Sequence, residues 1–74
     1  MTVEQLERIA YGTPFRPFRV NLRNGDVIDI RRSLRTTVAP DRVFFGVDED
    51  HGIARRMRVI ALRDIASIDV AEQE

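Results

Sequence analysis

The 74-residue sequence contains no cysteine and no lysine, and its single histidine is His51. Without cysteine there is no disulfide to staple the fold, no thiolate nucleophile and no thiolate metal site. One histidine excludes a multi-histidine metal site within a single chain. Glycines are few and scattered, at positions 12, 25, 46 and 52, and make no phosphate-cradling loop. Uninterrupted apolar runs are very short, so neither a membrane span nor a signal-peptide core is expected. A cytoplasmic protein with no membrane partner is the default expectation. Stability must come from a compact apolar core, supplemented where needed by oligomerisation. An apolar content of 43% is enough for one small domain, and length allows no more than one.

What the chain does have is arginine. All twelve basic residues are Arg, and they balance twelve acids to a net charge of zero. A neutral chain argues against a general nucleic-acid binder. The planar guanidinium holds phosphate and carboxylate in a bidentate fork that lysine cannot match, although GC-rich coding also yields arginine in place of lysine. The charges are unevenly placed. Residues 16–35 carry six Arg against Asp26 and Asp29, and residues 55–63 carry four Arg and no acid. Asp48, Glu49 and Asp50 form an acidic run, and the charges from Asp64 onward are all negative.

The first element is a helix over about residues 2–11. Thr2 and Gln5 have capping-box spacing, with Met1 and Leu6 at the staple positions. Val3, Leu6, Ile9 and Ala10 share one face. Gly12 is the expected left-handed stop, and Pro14 forbids continuation. So short a helix is not stable alone and must lie on something.

Strands follow. Phe18, Val20 and Leu22 alternate with Arg19, Asn21 and Arg23 in a strand over about 17–23, and Asn24-Gly25 is a hairpin signal before a second strand over 26–32. A two-residue loop would set Val20 against Asp29. A three-residue loop, Arg23-Asn24-Gly25, pairs Val20 with Ile28 and Phe18 with Ile30, and gives Gly25 the left-handed position of a bulge. The second register is expected, because a one-residue slip exchanges the two faces. The third strand spans 36–47, either as one long bent strand or broken at the Pro40-Asp41 turn. Residues 48–52 read as a polar loop. The fourth strand, 53–62, is expected to turn Met57, Val59 and Ala61 to the core and Arg56 and Arg58 outward. Ile60 and Leu62 break that alternation, so the helix is expected to cover them. A one-turn link then leads to a last strand at 67–70 and a tail at 71–74. The expected core is Leu6, Ile9, Phe18, Val20, Leu22, Ile28, Ile30, Val38, Val43, Phe45, Val47, Met57, Val59, Ile65, Ile68 and Val70. The fold class is α+β, mainly β: an N-terminal helix capping a strongly bent five-stranded antiparallel sheet or a small barrel, which would hide the sheet edges.

Residues 1–30, and above all Pro14-Phe15-Arg16-Pro17-Phe18, resemble a family of short, uncharacterised bacterial proteins. These share an initial helix, a Pro-Phe-x-Pro-Phe-x-aliphatic-x-Leu run and an Asn/Asp-Gly hairpin. The resemblance implies a fold but no assigned activity. Residues 31–37 stand where similar sequences often carry a His-Pro pair. The helix, the hairpin and the terminal "IALRDIASIDV" are more weakly similar to Sm-like and SH3-like small barrels, and the Sm-like resemblance implies RNA binding. Leu62-Arg63-Asp64 stands where Sm-type proteins carry an aliphatic residue followed by Arg-Gly.

No arrangement points to catalysis. His51 lies in an acidic segment with no nucleophile or orienting group beside it, and the spacing of Asp48, Glu49 and Asp50 matches no calcium loop. No catalytic residue, metal ligand or cofactor is expected. Pro14–Phe18 fits a PxxP pattern, but its place between helix and strand suits Phe15 and Phe18 to plugging the end of the core. The constellation with functional promise is Arg31, Arg32 and Arg35 together with Arg55, Arg56 and Arg58, candidates for binding nucleic acid or a partner should these segments converge. The expected role is a small non-catalytic binding or assembly module acting through protein–protein or self-association. The alternative is an Sm-like RNA binder using the arginine-rich face.

Overall fold

The computed structural model describes residues 1–71. One helix, α1 (Val3–Ala10), precedes six strands: β1 (Phe18–Leu22), β2 (Val27–Ile30), β3 (Thr36–Val38), β4 (Arg42–Asp50), β5 (Ile53–Ala61) and β6 (Ile65–Val70). A one-turn 3-10 helix, Leu62–Asp64, joins the last two. The expected tail at 72–74 lies outside the described residues.

The capping box forms. Gln5 N donates to Thr2 Oγ1 at 3.2 Å, and Thr2 N donates to Gln5 Oε1 at 2.9 Å. The helix stop differs from expectation, because Gly12 is not among the positive-φ residues. A Cβ at Gly12 would stand 2.8 Å from the carbonyl oxygen of Arg8, so glycine is needed there for close approach to the last turn. Leu6 and Ala10 are buried, and α1 packs against β3, where Val38 N donates to the Tyr11 hydroxyl at 2.8 Å.

The first hairpin takes the three-residue register. Phe18 faces Ile30, Arg19 faces Asp29 and Val20 faces Ile28. Gly25 N donates to Leu22 O and Leu22 N to Asp26 O, at 3.0 and 2.9 Å, with Gly25 at φ 95°. This is the type I turn with a left-handed glycine that lets two strands twist together without exchanging faces. β6 pairs with the other side of β1, giving a three-stranded sheet in the order β2-β1-β6.

The remaining strands form a second sheet in the order β3-β4-β5. The architecture is therefore mainly β with one short N-terminal helix, as expected. It has six strands in two three-stranded sheets, not five in one, and it is not a closed barrel. The reason lies in two places. Pro40, which offers no N–H, falls in the turn that separates β3 from β4, so of the two readings of 36–47 the one broken at Pro40-Asp41 holds and the span counts as two strands. Residues 31–35 leave the path of β2, so β2 and β3 are two short strands in different sheets and the wall is open between β2 and β4.

β4 runs on through Asp50, and the expected five-residue loop shrinks to His51-Gly52. Both residues have positive φ, 51° and 79°, as a two-residue primed turn requires. That turn sets Val43 opposite Ile60, Phe45 opposite Arg58, and Phe44 opposite Val59. The faces of β5 are thus the reverse of the expected ones. Ile60 is buried with Val43 and Phe45, whereas Met57 and Val59 are 65% and 53% exposed. Val70, also expected in the core, is 37% exposed. Leu6, Val20, Val43 and Phe45 are fully buried at the centre of one core shared by helix and both sheets. Phe15 packs against this core, its ring 6.1 Å from that of Phe18.

Candidate functional site

A cleft of about 320 Å³ opens between β2 and the half of the β4–β5 hairpin nearest its turn. β2 lines it along its whole length, followed by Arg31, Arg32 and Arg35; Gly46 to Glu49 of β4 and Arg56 and Arg58 of β5 line the far side. Five of the six arginines singled out from the sequence therefore converge. The sixth does not: Arg55 is outside the lining and sits 3.6 Å from Asp50.

The arginines are largely held by the acidic run that looked like a solvated loop. Glu49 Oε1 receives Arg32 Nε at 2.6 Å and an Arg35 terminal nitrogen at 2.9 Å. The same Arg35 nitrogen donates to Gly52 O at 2.6 Å, and the Arg35 side chain is only 19% exposed. Its hydrogen bond from Arg35, reinforced by Arg32, holds the Glu49 carboxyl below its ordinary range against a smaller opposing effect of desolvation. Arg56 meets Asp48 at 2.6 Å. Arg58 lies 3.8 Å from Asp26, and Arg31 has no ion-pair partner among the described residues. The lining carries five arginines against Asp29, Asp48 and Glu49, so its balance is positive, with Arg31 and Arg58 the least neutralised.

A second feature was missed in the sequence. On the outer face of the β3-β4-β5 sheet, Phe44 lies opposite Val59 and Gly46 opposite Met57. Phe44 is partly buried, while Met57 and Val59 are among the large apolar side chains left open to water. β5 is also an edge, with nine residues and a neighbour on one side only. The signal that would have found this face is His51-Gly52 read as a two-residue turn, since that fixes the register and with it the side to which Met57 and Val59 point.

His51 is exposed in the turn, with Nδ1 2.7 Å from Asp50. Among the described residues no group of three His, Cys, Asp or Glu is placed to hold a metal ion, and no helix is long and apolar enough to cross a membrane. No family model, curated protein or solved structure matches the chain.

Proposed function

We propose that this protein is a non-catalytic binding or assembly module that works through protein–protein or self-association. The observation that carries this reading is the apolar outer face of the β3-β4-β5 sheet, where Met57 and Val59 stand exposed beside Phe44 along an unpaired edge strand. Contiguous exposed apolar side chains on a sheet with a free edge favour burial against another chain. A cytoplasmic setting, and membership of the short bacterial family that residues 1–30 resemble, belong to the same reading. Sedimentation velocity across a wide concentration range tests it. The wild-type mass should rise with concentration and the Met57→Glu/Val59→Glu variant should stay monomeric. A wild type that remains monomeric throughout and buries neither side chain against any added protein would overturn it.

A second reading, an Sm-like RNA binder, is favoured by the convergence of Arg31, Arg32, Arg35, Arg56 and Arg58 at one cleft. A face using three or four arginines would give a log–log salt slope of about −2 to −3 with single-stranded RNA. The Arg56→Gln/Arg58→Gln variant would flatten that slope by about one unit or more.

A further inference from the structure

The arginine cleft has a property beyond its charge. β2 is the end strand of its sheet, so half of its backbone groups have no neighbour among the described residues. The bond from Leu22 N to Asp26 O sets the alternation along the ladder. Val20–Ile28 and Phe18–Ile30 are then the hydrogen-bonded pairs, and the N–H and C=O groups of Val27 and Asp29 point away from β1. Val27, Ile28, Asp29 and Ile30 all line the cleft. An unpaired strand edge therefore faces an arginine cluster whose balance is positive.

We propose that the cleft binds an extended acidic peptide that adds as a strand to the free edge of β2, with its carboxylates on Arg31 and Arg58 and the neighbouring arginines. This extends the protein-binding reading to a second surface and stands or falls separately from the outer face of β3-β4-β5.

Three observations favour a peptide over RNA. A strand edge offers donors and acceptors at the regular spacing of a β-ladder, which a peptide backbone answers in kind, whereas the phosphates of RNA supply acceptors only. The lining includes Asp29, Asp48 and Glu49, which repel a continuous polyanion but tolerate carboxylates spaced along alternate residues. Among the described residues no aromatic side chain lines the cleft, so bases have no stacking platform there. The loop that supplies three of these arginines also presents an apolar side chain. Leu34, in the loop that supplies Arg31, Arg32 and Arg35, is 92% exposed and held at φ 65°, a conformation that leucine rarely adopts. Strain that presents an apolar side chain to solvent between arginines is consistent with a contact made to a partner.

Fluorescence anisotropy on the full chain tests the proposal with a blocked peptide alternating glutamate and valine. Binding should weaken as salt rises, and should weaken about threefold to tenfold in the Arg31→Gln/Arg58→Gln variant. Two further peptides, one N-methylated on its valine amides and one on its glutamate amides, separate strand addition from charge attraction. Strand addition uses every second amide, so one isomer should lose binding while the other retains it. Met57→Gln/Val59→Thr, which removes the apolar face without adding charge beside Arg58, should bind the parent peptide as the wild type does. The proposal is overturned by absent peptide binding, by equal behaviour of the two methylated isomers, by equal binding of a lysine–valine peptide, or by preferential binding of oligouridylate.

Discussion

The two sheets are each three strands wide and share one core, yet their outer faces are opposites. On β2-β1-β6, polar side chains answer one another. Arg19 Nε donates to Asp29 at 2.7 Å, and Asn21 Nδ2 donates to Ser67 Oγ at 3.1 Å and to Asp69 at 2.9 Å. On β3-β4-β5, the corresponding cross-strand pair is Phe44 with Val59, and Met57 projects beside them. Apart from Val27, half exposed opposite Asn21, the first face is polar and its polar groups have partners within reach or meet water. The second leaves apolar area exposed that a partner would remove from water. On the first face charge is answered within the chain, whereas Met57 and Val59 on the second stand open to water.

If the difference is confined to the outer faces, truncating the shared core must unfold both sheets together. Phe45 is fully buried on the inner face of β4. Phe45→Ala should cost about 3–5 kcal/mol, most of the stability expected of so small a domain. Urea unfolding followed by fluorescence of Tyr11 and by far-ultraviolet circular dichroism should give coincident transitions, shifted together. Separate transitions would show that the sheets are independent units and that the comparison between them is ill-founded.

The two hairpins provide the next test. Gly25 and Gly52 both have positive φ, and a Cβ at either would meet nothing within 4 Å. Substitution by valine thus exposes the backbone cost alone, about 1–2 kcal/mol or more at each position. Equal losses in thermal unfolding are expected. A negligible loss at Gly25 would contradict the bulge that keeps Val20 opposite Ile28. A much larger loss at Gly52 would show that Arg35, whose guanidinium is held by the Gly52 carbonyl, depends on that turn.

A smaller effect on stability, with a large one on association, is expected from the outer face of β3-β4-β5. Met57→Gln/Val59→Thr should change stability by about 0.5 kcal/mol or less, since both side chains are mostly exposed. The same variant should abolish concentration-dependent sedimentation. Marked destabilisation with unchanged association would mean that this face is structural and would erase the contrast with β2-β1-β6.

Much of the first sheet was legible in the sequence, and the reason is specific. Phe18, Val20 and Leu22 alternate with polar residues without exception, so only one register of the Asn24-Gly25 hairpin keeps them on the side of Ile28 and Ile30. The second sheet was not legible to the same degree. In β5 the apolar residues Ile53, Met57, Val59 and Ala61 occupy one parity and Ala54 and Ile60 the other. Periodicity alone favours the wrong one. The tie is broken by the two-residue turn at His51-Gly52, which sets Ile60 against Val43. Reading residues 48–52 as a loop left that register free and hid the acids' part as counter-ions of Arg32, Arg35 and Arg56. The grouping of the arginines was foreseeable only as a possibility, because it depends on where the chain leaves β2 at residue 31.

The subtlest contrast between the two regions is electrostatic, and acid resolves it. Asp29 is held below its ordinary range by the hydrogen bond from Arg19, and Glu49 by those from Arg35 and then Arg32. A carboxylate whose folded-state pKa is depressed contributes stability that is fully present above its unfolded value. That contribution is lost as pH falls through the lowered folded value. Both carboxylates, Asp29 and Glu49, keep more than a third of their surface in water, so each effect should be small and should fade in high salt. The thermal midpoint of the wild type should therefore fall more steeply in acid than that of Asp29→Asn or of Glu49→Gln, with the curves converging at low pH. Glu49→Gln should also release Arg32 and Arg35 and so tighten binding of the acidic peptide, whereas Asp29→Asn, by freeing Arg19 on the outer face, should do so less. Parallel midpoint curves through the acid range would show that neither pair holds its carboxylate. Unchanged peptide affinity in Glu49→Gln would show that the carboxylate bridging Arg32 and Arg35 does not compete with a ligand for them.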